Sequence, residues 1–346
     1  MKAYQLVEWQ QPPELREVEV PEPGPGEVLV KVGGAGACHS DLHLMEWPAG
    51  TLPYPLPFTL GHENAGWIEA VGAGVTGWDV GEAVAVYGPW GCGRCRACRS
   101  TLETLCERAA ELGAAGGGLG RDGGMAEYMI VPDTRLLVPL GDLDPRDAAP
   151  LSDAALTPYH ALKLHLPKLV PGTHVVVIGV GGLGHMAVQL IRAMSPAQVI
   201  ALDVDAGKLE LAKQVGATHA VQSGDTAAEE IRELTGGRGA ALVLDCVGND
   251  ATLALDAQIV QGGGAIMLIG VAGGSLPLTF GVTPMDASLT FPYWGSTIEL
   301  AEVLDLARTG QITAHVEHFP LDRVGDAYDR MRAGTLTGRA VITPNG

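Results

Sequence analysis

Cys38, Ser40, Asp41 and His43 place a thiolate, a hydroxyl, a carboxylate and an imidazole within one short stretch, just after the apolar run Val28 to Val32. His39 adds a second imidazole. Such a cluster is costly to bury unless a metal or a reaction uses it. Gly61-His62-Glu63 follows in the same region. Cys38 and His62 are good zinc ligands offered by two turns, and catalytic zinc takes three protein ligands while keeping a further position open. The third ligand must come from further along. Asp153, in Leu151-Ser152-Asp153, is a candidate, although Ser152 or Asp153 at the head of a helix is also a good N-cap. Local sequence allows both readings.

Cys92-x-x-Cys95-x-x-Cys98, then Cys106, supplies four thiolates in one loop, as a closed tetrahedral zinc site needs. An iron-sulfur cluster and a redox switch are the alternatives. No Cys-Pro follows and no other redox motif accompanies the run, which favours a structural zinc. Its role would be to tie down a lobe at about residues 90–110 that has little core of its own.

Further on, Val175 to Ile178 runs into Gly179-Val180-Gly181-Gly182-Leu183-Gly184 and then a helical pattern. Strand, tight turn and helix in that order form the G-x-G-x-x-G fingerprint, whose missing side chains let backbone N–H groups approach a pyrophosphate at the positive end of a helix. Asp203 stands at the end of the next strand pattern. A carboxylate there accepts from the adenosine ribose hydroxyls and repels a 2'-phosphate, favouring NAD over NADP. Lys208 is either a helper at that ribose or a solvated helix lysine.

The elements that must position these groups change character along the chain. Residues 1–150 read as short strands broken by Gly and Pro: Val28 to Val32, Gly66 to Val71, Ala83 to Tyr87, Met125 to Val131. That spacing implies a compact, barrel-like β domain with long loops. Residues 151–295 alternate apolar strands with helices, which marks a parallel sheet with crossover helices. The strand candidates are His174 to Val180, Val199 to Val204, His219 to Gln222, Ala241 to Val247, Gly264 to Gly270 and Leu289 to Trp294. Six strands suit a dinucleotide-binding sheet. The tail, 296–346, carries helical patterns at Glu299 to Arg308 and Val324 to Arg332 and a last strand at Ala340 to Thr343. It is expected to return to the first domain, the two domains sharing a cleft.

Composition excludes other classes. A net charge of -18, from 22 Lys+Arg against 40 Asp+Glu, repels phosphate backbones, so nucleic acid is not expected as a partner. No apolar run reaches the roughly 18 to 20 residues of a membrane helix. The N-terminus, with Glu8, Glu14 and Arg16, lacks a secretory pattern. A cytoplasmic location follows, in which six cysteines serve as thiolates rather than disulfides.

Taken in order, Cys38 to His43, Gly61 to Glu63, the four-cysteine lobe, Gly123-Gly-Met-Ala-Glu-Tyr128, Gly179 to Gly184, Asp203 and Gly338-Arg339 make the chain resemble the zinc-dependent alcohol dehydrogenases of the medium-chain dehydrogenase/reductase family. The likeness spans essentially the whole length. It is most similar to the bacterial secondary-alcohol dehydrogenases and aryl ketone or aldehyde reductases. The resemblance implies an α/β protein: a Rossmann-type doubly wound parallel sheet for NAD plus a GroES-like β-barrel catalytic domain. It implies that Cys38, His62 and Asp153 hold catalytic zinc, Asp153 standing where many members carry Cys. Glu63 would support or alternate with these ligands, and Asp41 would fix the His62 ring. Ser40 matches the hydroxyl beside the alcohol oxygen, and His43 the solvent end of a proton relay. His39 and Arg339 match positions near the pyrophosphate, Thr157 one at the nicotinamide and Val271 one at its carboxamide. Tyr54, Leu119, Tyr293 and Trp294 match the walls of an apolar substrate pocket.

The function expected is reversible oxidation of primary or secondary alcohols to aldehydes or ketones by hydride transfer, favouring apolar or aryl secondary alcohols and ketones. It would use NAD and two zinc ions per subunit. Family members of this length are commonly homotetramers, so dimers joined edge to edge near Leu289 to Trp294 are expected. A polyol or amino-alcohol dehydrogenase of the same family is the nearest alternative, and a non-enzymatic zinc-binding protein the remote one.

Overall fold

The computed structural model describes residues 1–346. In chain order the strands are β1 (Lys2–Leu6), β2 (Glu14–Glu17), β3 (Val28–Gly36), β4 (Phe58–Thr59), β5 (Glu63–Val71), β6 (Ala83–Val86), β7 (Gly116–Gly117), β8 (Gly120–Arg121), β9 (Tyr128–Val131), β10 (Leu137–Pro139), β11 (His174–Ile178), β12 (Gln198–Asp203), β13 (His219–Gln222), β14 (Ala240–Asp245), β15 (Val260–Leu268), β16 (Ser288–Thr290), β17 (Val316–Pro320) and β18 (Arg339–Thr343). The helices are α1 (His39–Glu46), α2 (Arg96–Arg99), α3 (Ala109–Leu112), α4 (Pro145–Ala148), α5 (Leu156–Lys163), α6 (Gly184–Met194), α7 (Ala206–Gln214), α8 (Ala227–Leu234), α9 (Asp250–Ile259), α10 (Thr297–Arg308) and α11 (Val324–Arg332). Two compact units result: Met1–Leu156 with Trp294–Thr309 and Ala314–Gly346, and Thr157–Tyr293 with Gly310–Thr313. No helix is long and apolar enough to cross a membrane.

In the first unit a seven-stranded sheet runs β10-β6-β5-β3-β18-β17, with β9 also paired to β3. A smaller sheet, β2-β1-β4, continues it, because Tyr4 N–H donates to Met125 O at 2.8 Å and Ala3 bridges Ala126. The antiparallel β3–β5 pair sets the metal-ligand candidates. Gly36 at the end of β3 is in register with Glu63 at the start of β5. Cys38, just past β3, is therefore brought beside His62, just before β5. A Cβ on Gly36 would stand 1.8 Å from Glu63 Oε2, so only glycine leaves room for that carboxylate.

The second unit is a six-stranded sheet in the order β13-β12-β11-β14-β15-β16, parallel throughout. Sequence order reverses beside β11, the arrangement of a dinucleotide-binding sheet, where ligands sit outside the carboxyl ends of the strands. β11 reads His-Val-Val-Val-Ile and is buried along its whole length, as a strand covered on both faces must be. Val176, Ile178, Ile200, Leu202, Val243 and Ile266 of the sheet pack with Ile231 of α8 and Ile259 of α9 in one core.

The structure corrects one strand and one cap. The run Leu289 to Trp294 is a strand only over Ser288–Thr290. Pro292 has no N–H to give a ladder and restricts Phe291 before it, so pairing ends there. The cap reading at Ser152 and Asp153 is not realised either. Ser152 closes a short 3-10 turn, Ala149–Ser152, with its hydroxyl on Ala149 O at 2.8 Å, and α5 starts later, at Leu156.

Candidate active site

Cys38, His62, Glu63 and Asp153 are all buried, and their ligand atoms lie within 4.8 Å of one another. His62 Nε2 stands 3.6 Å from Asp153 Oδ2. Its other nitrogen, Nδ1, faces Asp41 Oδ1 at 3.1 Å. That carboxylate favours a proton on Nδ1 and turns Nε2 toward the cluster, where it can serve as a ligand once its own proton is displaced. Burial alone would depress the His62 pKa, yet Asp41, Asp153 and Cys38 outweigh it and hold the ring well above its ordinary range. Burial pushes Glu63 up to about 7, against the opposing pull of Arg339. A thiol and two carboxyls around one imidazole, closed to water, form an electron-rich donor set that suits a divalent cation. The set fits zinc, with mixed S, N and O ligands.

Neighbours fix each donor. Asp41 Oδ2 accepts Cys38 N–H at 2.9 Å, capping α1, and the Tyr328 hydroxyl at 3.0 Å. Arg339 is buried and donates through Nε to Glu63 Oε2 at 2.9 Å and through a terminal nitrogen to the other oxygen. Arg339, expected at a pyrophosphate, thus has two donors committed to Glu63. Ser40 Oγ lies 3.4 Å from His62 Nε2, at the mouth of the cluster. His43 is one helical turn further along α1 and half-buried, while His39 is exposed.

Trp294 is the wall of this cluster. Its ring meets His62 edge to face at 5.5 Å, and its indole N–H donates to Ser152 O at 3.1 Å. The residue sits at φ 52, a left-handed conformation rarely adopted by a bulky side chain. The Tyr87 hydroxyl on Gly295 O anchors the same segment. Tyr54 packs on Phe58 at 6.2 Å and is close enough to His62 for the two groups to interact electrostatically. Leu119 is half-buried in the first unit. Tyr293 and Val271 belong to the second unit, and both are exposed.

The sulfurs of Cys92, Cys95, Cys98 and Cys106 also converge within 4.8 Å, and all four are free thiols. Backbone N–H groups point at them: Cys92 N–H to Cys106 Sγ at 3.3 Å, Cys95 N–H to Cys92 Sγ at 3.4 Å, Arg108 N–H to Cys106 Sγ at 3.4 Å. Hydrogen bonds led by the Arg94 N–H lower Cys92 to about 6, toward its thiolate form. Four converging sulfurs with N–H support fit a structural zinc. Glu103 and Arg135 brace the lobe: Glu103 accepts Gly91 N–H at 2.6 Å and Arg135 Nε at 2.9 Å, and Arg135 donates to Gly91 O at 2.7 Å.

In the second unit Gly179 opens the fingerprint turn at φ 83, as a tight turn requires. A Cβ on Gly184 would fall 1.9 Å from Gly179 O, whereas one on Gly181 would meet nothing within 4 Å. Gly184 thus allows close packing of helix on strand, and Gly181 leaves open space at the α6 N-terminus, a cradle that suits a pyrophosphate. Gly182 and Leu183 complete the turn, half-buried. Asp203 Oδ2 accepts Val180 N–H at 2.7 Å and Oδ1 accepts Asp205 N–H at 2.9 Å, which ties the acid to the turn while each oxygen keeps a lone pair. Lys208 N–H is bonded to Asp205 in the first turn of α7. Thr157 is buried at the start of α5.

Sequence reasoning missed Tyr328, Glu103, Arg135 and the Arg339–Glu63 pair. The Gly338-Arg339 motif marked Arg339, though not its partner; the others carry no local signal.

Similarity to known proteins gives the family. The family model described as alcohol dehydrogenase GroES-like domain matches residues 24–142, and the zinc-binding dehydrogenase model matches residues 182–308. An alcohol dehydrogenase of Geobacillus stearothermophilus is 37% identical, over 99% of this chain and 99% of its own. The crystal structure of the alcohol dehydrogenase of Aeropyrum pernix, a hyperthermophilic archaeon, superposes with a TM-score of 0.91 at 37% identity, covering 99% of this chain and 100% of that one. The acetophenone reductase of Geotrichum candidum, solved in complex with NAD, gives a TM-score of 0.86 at 31% identity, covering 99% of this chain and 96% of its own. With two donor clusters, a dinucleotide sheet and relatives matched end to end, the chain belongs to the zinc-dependent alcohol dehydrogenases of the medium-chain dehydrogenase/reductase family.

Proposed function

We propose that this protein catalyses the reversible NAD-dependent oxidation of primary and secondary alcohols to aldehydes and ketones, favouring apolar or aryl secondary alcohols and ketones. The observation that carries this reading is the buried cluster Cys38, His62, Glu63 and Asp153 with the Trp294 ring set edge-on against His62. Cys38, His62 and Asp153 hold the catalytic zinc, Glu63 standing as an alternate donor, and the four cysteines of the lobe hold a structural one. Gly179 to Gly184 receive the pyrophosphate of NAD and Asp203 its adenosine ribose, with Lys208 beside it. His39, Thr157 and Val271 complete the cofactor site. Bound there, zinc supplies Lewis-acid polarisation of the substrate oxygen and NAD the hydride acceptor.

The chain's own groups do the rest. Asp41 keeps His62 in the tautomer whose Nε2 faces the donors. Ser40 Oγ takes the hydroxyl proton of the alcohol while releasing its own toward His43, half-buried one turn along α1, which passes a proton on to water. Trp294, Tyr54 and Leu119 give the substrate apolar walls and exclude water. The aryl preference is supported by that aromatic lining and by a relative that is an acetophenone reductase. A panel assay following NADH tests it: 1-phenylethanol is expected to exceed sorbitol and threonine in kcat/KM, and a clear preference for either polar compound would favour the polyol or amino-alcohol reading.

A homotetramer is the reading for assembly. β16 is an edge strand of its sheet, and Leu278, Phe280, Met285 and Phe291 around it are exposed, Phe280 at 92%. Apolar residues flanking an open sheet edge suit a second copy of the chain. The cytoplasm is the location this reading favours, supported by six cysteines that are all unpaired.

A further inference from the structure

Asp245 ends β14 beside Ile178, the residue before Gly179. Its Oδ1 accepts the N–H of Val247 at 2.8 Å and of Gly248 at 3.0 Å. Its backbone carbonyl accepts the N–H of Ile269 and Gly270, the lead-in to Val271. The turn so fixed is pressed against the fingerprint: a Cβ on Gly179 would stand 2.7 Å from a methyl of Val247. Asp245 therefore shapes both the glycine turn and the following loop from beneath.

The rest of that carboxyl lies close enough to Asp256 for the two acids to interact. Asp256, on α9, and Asp245 are both 0% exposed. Asp245 Oδ2 and both oxygens of Asp256 find no donor among the N–H and O–H groups around them. Two buried carboxylates cannot both stay ionised without a cation, whereas one shared proton satisfies the bond between them. Neither catalysis nor metal binding as described above uses this pair.

We propose that Asp256 is a positioning residue for the NAD cradle: in its acid form it donates to Asp245, which in turn holds the Val247–Gly248 turn against Gly179. Burial first, then the Asp245 charge and the bond to it, raises Asp256 from 3.8 to about 9. The groups facing it are few. β14 and the residue after it present Asp245 and the Cys246 thiol, which senses both acids. β15 carries no titratable residue. On α8, Glu229, Glu230 and Glu233 are exposed, and Arg232 donates to Gln258 O at 3.1 Å. The folded protein keeps a proton that the unfolded chain releases near 3.8. Stability from this group thus declines as pH rises from about 4 and levels off above about 9, where the pair ionises and its hold on the turn is lost.

The inference rests on the NAD reading above, and the experiment separates the two. NADH affinity of the zinc-loaded enzyme is measured by fluorescence from pH 7 to 10, for wild type and Asp256→Asn, which donates at every pH. Wild-type affinity is expected to fall by up to about tenfold per pH unit above 9, while the variant changes by less than about twofold. In metal-loaded, cofactor-free protein, the melting temperature of the variant should gain on that of wild type between pH 5 and 9. Parallel pH profiles in both readouts overturn the inference with the NAD reading intact. Failure of wild type to bind NADH at pH 7 overturns both. Should the variant not fold, infrared spectra of wild type decide: a protonated-carboxyl band that persists at pH 8, above the titration of Glu63, and is lost by pH 10 supports the pair, and its absence at pH 8 overturns it.

Discussion

Asp41 never needs to touch substrate, yet three groups meet its carboxylate: Cys38 N–H and the Tyr328 hydroxyl donate to it, and His62 Nδ1 faces it at 3.1 Å. It couples the cap of α1 to the orientation of His62, the proposed zinc ligand, so its loss should be felt at the metal. Asp41→Ala is expected to lower affinity at the catalytic zinc by about 10- to 100-fold. Tyr328→Phe leaves the carboxylate the Cys38 N–H and the facing His62 ring; it should weaken zinc less, by up to about tenfold, and cost about 1 kcal/mol of stability. Competition with a chromogenic chelator reads both, and unchanged affinity in Asp41→Ala would refute the coupling. Cys38 and His62 were legible in the sequence because their types are uncommon and their neighbours polar. Tyr328 was not, since it lies 287 residues from Asp41 and resembles any core tyrosine on a helix. Asp153 was ambiguous locally; it follows a 3-10 turn rather than opening a helix, and its carboxylate lies 3.6 Å from His62.

Elements carry the next level. The β3–β5 register places Cys38 and His62 together, which no local pattern states, because register is set by which strands pair. The helical patterns expected after the fingerprint and over Val324 to Arg332 form α6, Gly184–Met194, and α11, Val324–Arg332. The strand expected at Leu289 to Trp294 shortens because Pro292 cannot serve a ladder, and the chain then turns Trp294 into the first unit. β16 is left with an open edge and exposed Phe280 and Phe291 nearby. If a second copy covers that edge, Phe280→Glu with Phe291→Glu should shift the sedimenting species from tetramer toward smaller forms. A monomeric wild type would contradict the proposed assembly.

At the scale of the whole molecule, the chain separates two tasks. One unit concentrates donors for metal, with acids and a thiol buried around His62, and the other offers a glycine turn and an acid suited to NAD. The change in rhythm near residue 150 and the fingerprint are the sequence features that point to such a division. The Asp245–Asp256 pair was hidden, since two acids on a strand and a helix look like ordinary surface residues until both are found fully buried. The central claim is direct hydride transfer from an alcohol carbon to NAD. The most direct test supplies the zinc-loaded enzyme with NAD and 1-phenylethanol carrying deuterium at the carbinol carbon, and weighs the reduced cofactor by mass spectrometry. The account predicts one deuterium in each NADH formed; NADH formed without the label, or no NADH from any alcohol in the panel, would contradict it.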